Sequence, residues 1–277
     1  MIQVIQPWRQ ALATVAVLGA LVLGAPAQAA QDGTWAEVRQ AGVLRCGAAV
    51  SPPYVMRDPK SGEYSGVFPT LCRQFGEEVL KVKVEFVDSN WDSIVAGLQS
   101  QKWDVSVSLN DTPQRRQAIA FTEPAVDYSI NFTYNQNNPK LPRQINSLAD
   151  IDKPALNIVV MSGTAADKAI SAEFKQARIM RLPGFDETRL ALMSKRADLL
   201  ADDNMTNQLL TAAHGDWATT FTPMPMLGKQ GIAFGLRKET PAADIDEFNA
   251  FIARKKADGA IDGLVQASIK ASLAQAR

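Results

Sequence analysis

Residues 82–109, VKVEFVDSNWDSIVAGLQSQKWDVSVSL, decide the fold. The segment opens with strict alternation, Val82, Val84 and Phe86 on one face and Lys83 and Glu85 on the other, the two-residue period of a half-buried strand. Trp91, Ile94, Val95 and Leu98 then recur at helical spacing behind the capping-type residues Ser89 and Asn90. A second strand follows over 104–109. Toward the N-terminus, residues 43–50 form a compact apolar run, and Phe68, Leu71, Cys72, Phe75 and Val79 form the apolar face of a helix. This β-α-β-α-β rhythm predicts an open, mostly parallel sheet with helices on its faces.

The middle third repeats the rhythm, with strands over 156–161, 178–182 and 197–201 and helices over 164–174 and 185–193. Pro139 and Pro142 before this block, and Pro223 and Pro225 after it, mark segments that cross between units. Residues 231–236 form one more strand. Two helices close the chain, the first turning Ile245, Phe248, Phe251 and Ile252 inward. The expected architecture is α/β with two lobes, residues 30–131 and 229–277 in the first and 132–228 in the second, joined by a two-strand hinge. Ligands of open α/β sheets sit at the carboxyl ends of strands, so the cleft between the lobes is the expected site.

Residues 1–29 have the layout of a secretory signal: Arg9, an apolar stretch over 11–25, and the small-residue cleavage motif Ala27-Gln28-Ala29. The apolar run is shorter than the roughly 20 residues of a bilayer span. An exported, periplasmic protein is therefore expected. Lysine plus arginine and aspartate plus glutamate number 29 each, which argues against nucleic acid or an anionic membrane as the main partner. The two cysteines, Cys46 and Cys72, fall on apolar faces of adjoining elements and are expected to form a disulfide, with two reduced core thiols as the alternative. His214, the single histidine, sits at a helix end before Gly215 and reads as an exposed cap residue. One histidine there leaves Ser-His-Asp triads and histidine-rich metal sites without their central part. No metal, cofactor or catalytic constellation is expected.

Three stretches carry chemistry. In Thr112-Pro-Gln-Arg115 the threonine is an N-cap and the proline takes the first helical position, which leaves Arg115 in a first turn where its charge opposes the helix dipole. A guanidinium in that place makes sense if it grips a carboxylate with both arms, an ordinary solvated arginine being the bland alternative. Ser162-Gly163-Thr164 ends a strand and opens a helix, offering backbone N–H groups to an anion. Asp203, at the end of 198–203, could take an ammonium group, while Asp202 and Asp203 could equally be a solvated loop or a helix N-cap.

Together with Ala41-Gly-Val-Leu-Arg-Cys-Gly47, Ser51-Pro-Pro-Tyr54, Val84-Glu-Phe-Val87, Trp91-Asp92, Phe121-Thr-Glu-Pro124 and Arg196-Ala-Asp198, these stretches resemble the family-3 bacterial extracellular solute-binding proteins, along the whole mature chain. The resemblance implies a monomeric periplasmic protein that captures a small zwitterion, an L-amino acid, by hinge closure and delivers it to an inner-membrane ABC permease. It implies that Arg115, helped by Gly163 and Thr164, binds the ligand carboxylate and that Asp203 binds its ammonium. Ser51 stands where the family usually has an aromatic wall, leaving Trp91 and Tyr54 to supply one. Ser108 and Asn110 complete the expected contacts. The uncharged set, with the neutral Ala48, favours a neutral or polar amino acid. The alternatives are a periplasmic enzyme like the cyclohexadienyl dehydratases, with Asp111 or Asp186 as its acid, and a ligand-sensing partner of a membrane receptor.

Overall fold

The computed structural model describes residues 1–2 and 33–275. Nearly all of the expected export signal thus lies outside the described residues. No helix among them is long and apolar enough to cross a membrane.

The chain starts with α1 (Thr34–Ala41), β1 (Val43–Ala48), the short pair β2 (Met56–Arg57) and β3 (Tyr64–Ser65), and α2 (Val67–Gln74). Then come β4 (Lys83–Asp88), α3 (Ile94–Gln99), β5 (Val105–Asn110), α4 (Pro113–Ala118), β6 (Ile119–Phe121) and the long β7 (Val126–Asn135). The second half runs through α5 (Leu148–Ile151), β8 (Asn157–Met161), α6 (Ala165–Glu173), β9 (Arg178–Leu182), α7 (Phe185–Met193), β10 (Leu199–Asp203), α8 (Asn204–Ala213) and β11 (Ala218–Phe221). The long β12 (Leu227–Arg237), α9 (Ala242–Ala257) and α10 (Ala260–Gln275) end it.

Two parallel triples, β4-β1-β5 and β10-β8-β9, are the sheets of two α/β lobes. Between them lie β12 and β7, antiparallel to each other and to the edge of each triple, so the strand order reads β4-β1-β5-β12-β7-β10-β8-β9. The two long strands are the chain's crossings, whereas Pro139, Pro142, Pro223 and Pro225, which the sequence marks as crossing segments rather than elements, lie in the loops beside them. After the second crossing α9 returns to the first lobe, where Phe248 stacks on Phe75 with ring centroids 3.8 Å apart and packs edge-on to Trp35.

The helix expected over 68–79 changes winding on the way. Residues Phe75–Leu80 form a wide π turn, which moves the buried position from Val79 to Leu80. Close packing accompanies the change: a Cβ on Gly76 would lie 2.3 Å from Val84. Cys46 on β1 and Cys72 on α2 are joined by a disulfide, tying the first strand to the helix that covers it. At the other end of the chain His214 caps α8 as expected but is half-buried, its ring 5.4 Å from that of Trp217. Gly215 does not take the left-handed conformation expected of a glycine cap.

Candidate functional site

Asp203 closes β10 and serves as the N-cap of α8, its Oδ1 accepting from the backbone N–H groups of Met205 and Thr206, each at 2.9 Å. The strand-end and N-cap readings of this residue therefore hold together. Its side chain is only 2% exposed. Oδ1 also accepts from the Tyr54 hydroxyl at 3.1 Å, and Oδ2 accepts from the Thr206 hydroxyl. Burial, with the charge of neighbouring Asp202 added, pushes the Asp203 carboxyl up to about 7 despite these donors.

Around this carboxylate lies a cavity of about 20 Å³, lined by Ser51, Tyr54, Trp91, Ser108, Asn110, Tyr128, Met161, Thr164, Asp202, Asp203 and Ile232. Seven of the nine expected ligand contacts are thereby brought to one place. That volume holds about one water molecule. Trp91 sits in the turn before α3 rather than on the helix face where its spacing put it. Tyr54 is not a bare aromatic wall, because its hydroxyl is spent on Asp203, which burial and the Asp203 charge make a very weak acid. Ser108 reaches the cavity through a β-bulge: Leu109 pairs with Ala233 and Ser106 with Gly235, so Val107 and Ser108 together face one residue of β12. Its φ of 61° lies in the left-handed region, where a non-glycine residue is held only by its surroundings. Two buried donors of the lining have no partner among the described residues, Trp91 Nε1 and Asn110 Nδ2.

Arg115 does not line this cavity. It borders a larger recess on the far side of Trp91 and Thr164, with Gly163 and Lys168. Thr112 caps α4 as expected, accepting from the Arg115 N–H at 3.2 Å. The guanidinium donates to the carbonyls of Asn110 at 3.2 Å and Gly163 at 3.3 Å, one from each lobe, and no carboxylate is ion-paired with it among the described residues. Burial without a counter-charge brings it down to about 10.

The helix start at Gly163 and Thr164 is not an open anion cradle. The Gly163 N–H donates to Asp167 Oδ2 at 3.2 Å, and the Thr164 hydroxyl donates to the Met161 carbonyl while accepting from the Asp167 N–H. Gly163 instead lets the lobes meet: at φ +73° a Cβ there would lie 2.6 to 2.8 Å from atoms of Trp91 and Asp92. Lobe-to-lobe hydrogen bonds flank the cavity on both sides. Tyr54 to Asp203 and Thr206 to the Pro52 carbonyl lie at one end, Arg115 to Gly163 and Ser162 to Asp92 at the other.

Tyr128, Met161, Asp202 and Ile232 belong to the lining and escaped the sequence reading as site residues. Tyr128, Met161 and Ile232 lie in apolar strand runs and look like ordinary core, whereas Asp202 reads from the sequence, with Asp203, as a solvated loop residue or an N-cap. Asp111 and Asp186 do not reach the cavity: Asp111 is ion-paired with Arg116, and Asp186 borders a separate outer groove.

The profile of the bacterial extracellular solute-binding proteins, family 3, matches residues 44–270. A probable histidine-binding protein of Campylobacter jejuni is 25% identical over 194 residues, 69% of this chain and 72% of its own. A cyclohexadienyl dehydratase of Pseudomonas aeruginosa is 23% identical over 221 residues, 78% of each chain. Among solved structures, an ancestral amino-acid-binding protein described as a precursor of cyclohexadienyl dehydratase superposes with a TM-score of 0.75 at 25% identity, covering 85% of this chain and 99% of its own.

Proposed function

Because the chain belongs to the bacterial extracellular solute-binding proteins, family 3, we propose that it captures an L-amino acid between its lobes in the periplasm and delivers it, as a monomer, to an inner-membrane ABC permease. The observation that carries this reading is Asp203. A carboxylate 2% exposed, facing a cavity and ion-paired with no lysine or arginine among the described residues, is costly unless a cation compensates it. A ligand ammonium group is that cation. Arg115, at the other end of the same lobe junction, is the group for the ligand carboxylate, once its guanidinium turns from two backbone carbonyls to a stronger, charged acceptor.

A cavity of about 20 Å³ is far smaller than an amino acid, so admission requires the lobes to part. The hinge is assigned to the crossing strands near 128–134 and 226–232, with 30–131 and 229–277 moving against 132–228. The four hydrogen bonds that flank the cavity break on opening. A ligand touching both lobes favours the closed form and shifts the population toward it. The unpartnered donors Trp91 Nε1 and Asn110 Nδ2 favour a ligand with a hydrogen-bond acceptor in its side chain.

A thermal-shift panel of the twenty amino acids, followed by small-angle scattering with the best of them, tests this reading. Stabilisation by an amino acid together with a more compact profile is the expected result, and superimposable profiles would remove hinge closure. One observation favours a second reading. A buried carboxyl with a pKa of about 7 in a cleft is also what an enzyme needs to protonate a leaving hydroxyl, as in a cyclohexadienyl dehydratase. Turnover of prephenate or arogenate would select that reading; binding without turnover selects capture.

A further inference from the structure

The end of β10 presents two carboxylates in sequence, Asp202 and Asp203, and both line the cavity while 7% and 2% exposed. Adjacent buried anions repel each other, so such a pair persists only with compensation. The compensation comes from behind the cavity wall. Arg189 on α7 donates from Nη2 to Asp202 Oδ2 at 3.0 Å in an ion pair buried on both sides. Its Nη1 donates to the Phe185 carbonyl and the Thr188 hydroxyl, each at 3.1 Å, and its guanidinium carbon lies 3.2 Å from the centre of the Phe185 ring. The remaining Asp202 oxygen, Oδ1, accepts from the Asp203 N–H at 2.9 Å. Both Asp202 oxygens are therefore committed inside the protein, whereas Asp203 has only neutral donors among the described residues.

We propose that Arg189 is the positioning residue that sets the charge of this end of the cleft: it holds Asp202 in a buried ion pair and leaves Asp203 as the single carboxylate offered to a cationic group. The proposal rests on the cavity being the ligand site. Two carboxylates and one guanidinium leave one negative charge, which matches a ligand with one ammonium group and no second cation. Without Arg189 the same wall would carry two uncompensated anions and suit a dibasic ligand.

The other groups facing Asp203 are the Tyr54 and Tyr128 hydroxyls and the Thr206 hydroxyl, with Asp186 acting on Arg189 from its own helix and Arg115 acting on Tyr128. None of these supplies a compensating cation to Asp202, so the effect of Arg189 is separable by substitution.

The test is the titration of the Asp203 carboxyl, followed by carboxyl ¹³C NMR in the full mature chain without ligand. Asp202→Asn should lower the Asp203 midpoint by about one pH unit or more, and Arg189→Met should raise it by a similar amount. The double variant should bring it back to within about half a unit of the parent. Single variants that leave the midpoint unmoved, or move it in the same direction, overturn the proposal. If Arg189→Met does not fold, the fall in Asp202→Asn and its reversal in the double variant decide the matter. Thermal shifts with L-lysine and L-glutamine supply the second readout. Arg189→Met should raise the preference for lysine over glutamine about tenfold. If the titrations move as stated but neither amino acid binds differently in any variant, the charge assignment stands and the reading of the cavity as the ligand site is what fails.

Discussion

The two ends of the lobe junction are built on different principles. At the Asp203 end the charged group is fixed in advance by a helix N-terminus, the Thr206 hydroxyl and the Tyr54 hydroxyl from the opposite lobe. At the Arg115 end the charged group rests on two backbone carbonyls and faces a wider recess. The difference follows from side-chain chemistry. A carboxylate is short and can be satisfied by the backbone next to it, whereas a guanidinium reaches across a gap on a flexible stem and can exchange partners. On the proposed reading, one end is a prepared receptor for a cation, and the other a latch that exchanges backbone carbonyls for a bound anion.

The sharpest way to break this comparison is to remove either charge. Arg115→Ala and Asp203→Ala should each weaken binding of the amino acid found by the thermal-shift panel by about 30-fold to several thousand-fold, the range expected when about 2 to 5 kcal/mol is lost by leaving a buried charge unpaired. Arg115→Lys should recover little of this, because a point charge does not reproduce a bidentate fork. Calorimetry giving near-parent affinity for either alanine variant would remove that residue from the clamp.

Next in size is the effect of pH, which separates the ends because only one of them titrates near neutrality. Ligand ammonium requires ionised Asp203, so Kd should rise toward tenfold per unit as pH falls below about 7 and level off above it. The stability of the unliganded fold should run the other way. A carboxyl whose folded value is raised holds its proton in the native state between about pH 4 and 7 while the unfolded chain has lost it, so stability declines as pH rises through that window. Asp203→Asn should flatten both profiles.

A smaller change tests the approach of the lobes at the Arg115 end. Gly163→Ala puts a Cβ against Trp91 and Asp92 at a positive φ, a conformation that costs an alanine roughly 1 to 2 kcal/mol before any overlap is counted. About a tenfold loss of affinity with an unchanged open form is expected, read by calorimetry and scattering. Arg116→Ala should change affinity less than about threefold, a loss under roughly 0.7 kcal/mol, since that side chain is exposed and paired with Asp111 away from the cavity. Least of all should affinity respond to the paired change Cys46→Ala with Cys72→Ala, which acts on the first lobe alone. Its effect belongs to stability, a loss of roughly 3 to 4 kcal/mol in the chain-entropy account, and the unfolded, unreduced parent should titrate with no free thiol.

Much of this molecule is legible along the chain because its signals are local. The alternation over 82–87, the Thr112-Pro113 helix start and the helix Phe185–Met193 each depend on residues within a few positions of one another, and the fold places them where those patterns say. For Arg115 and Asp203 the local pattern left a bland alternative beside each binding role, and the resemblance is what favoured the binding role. What tertiary structure alone decided are the long-range partnerships. Tyr54 meets Asp203 across 149 positions of sequence and spends its hydroxyl there, Gly163 serves lobe contact while Asp167 takes its N–H, and Arg189 answers the charge of Asp202 from a different helix. Hydrogen-bond and ion-pair partners are chosen by distance in space, and a sequence fixes distance only over the length of a turn, so the donors left over for a ligand become countable only when every other partner has been found.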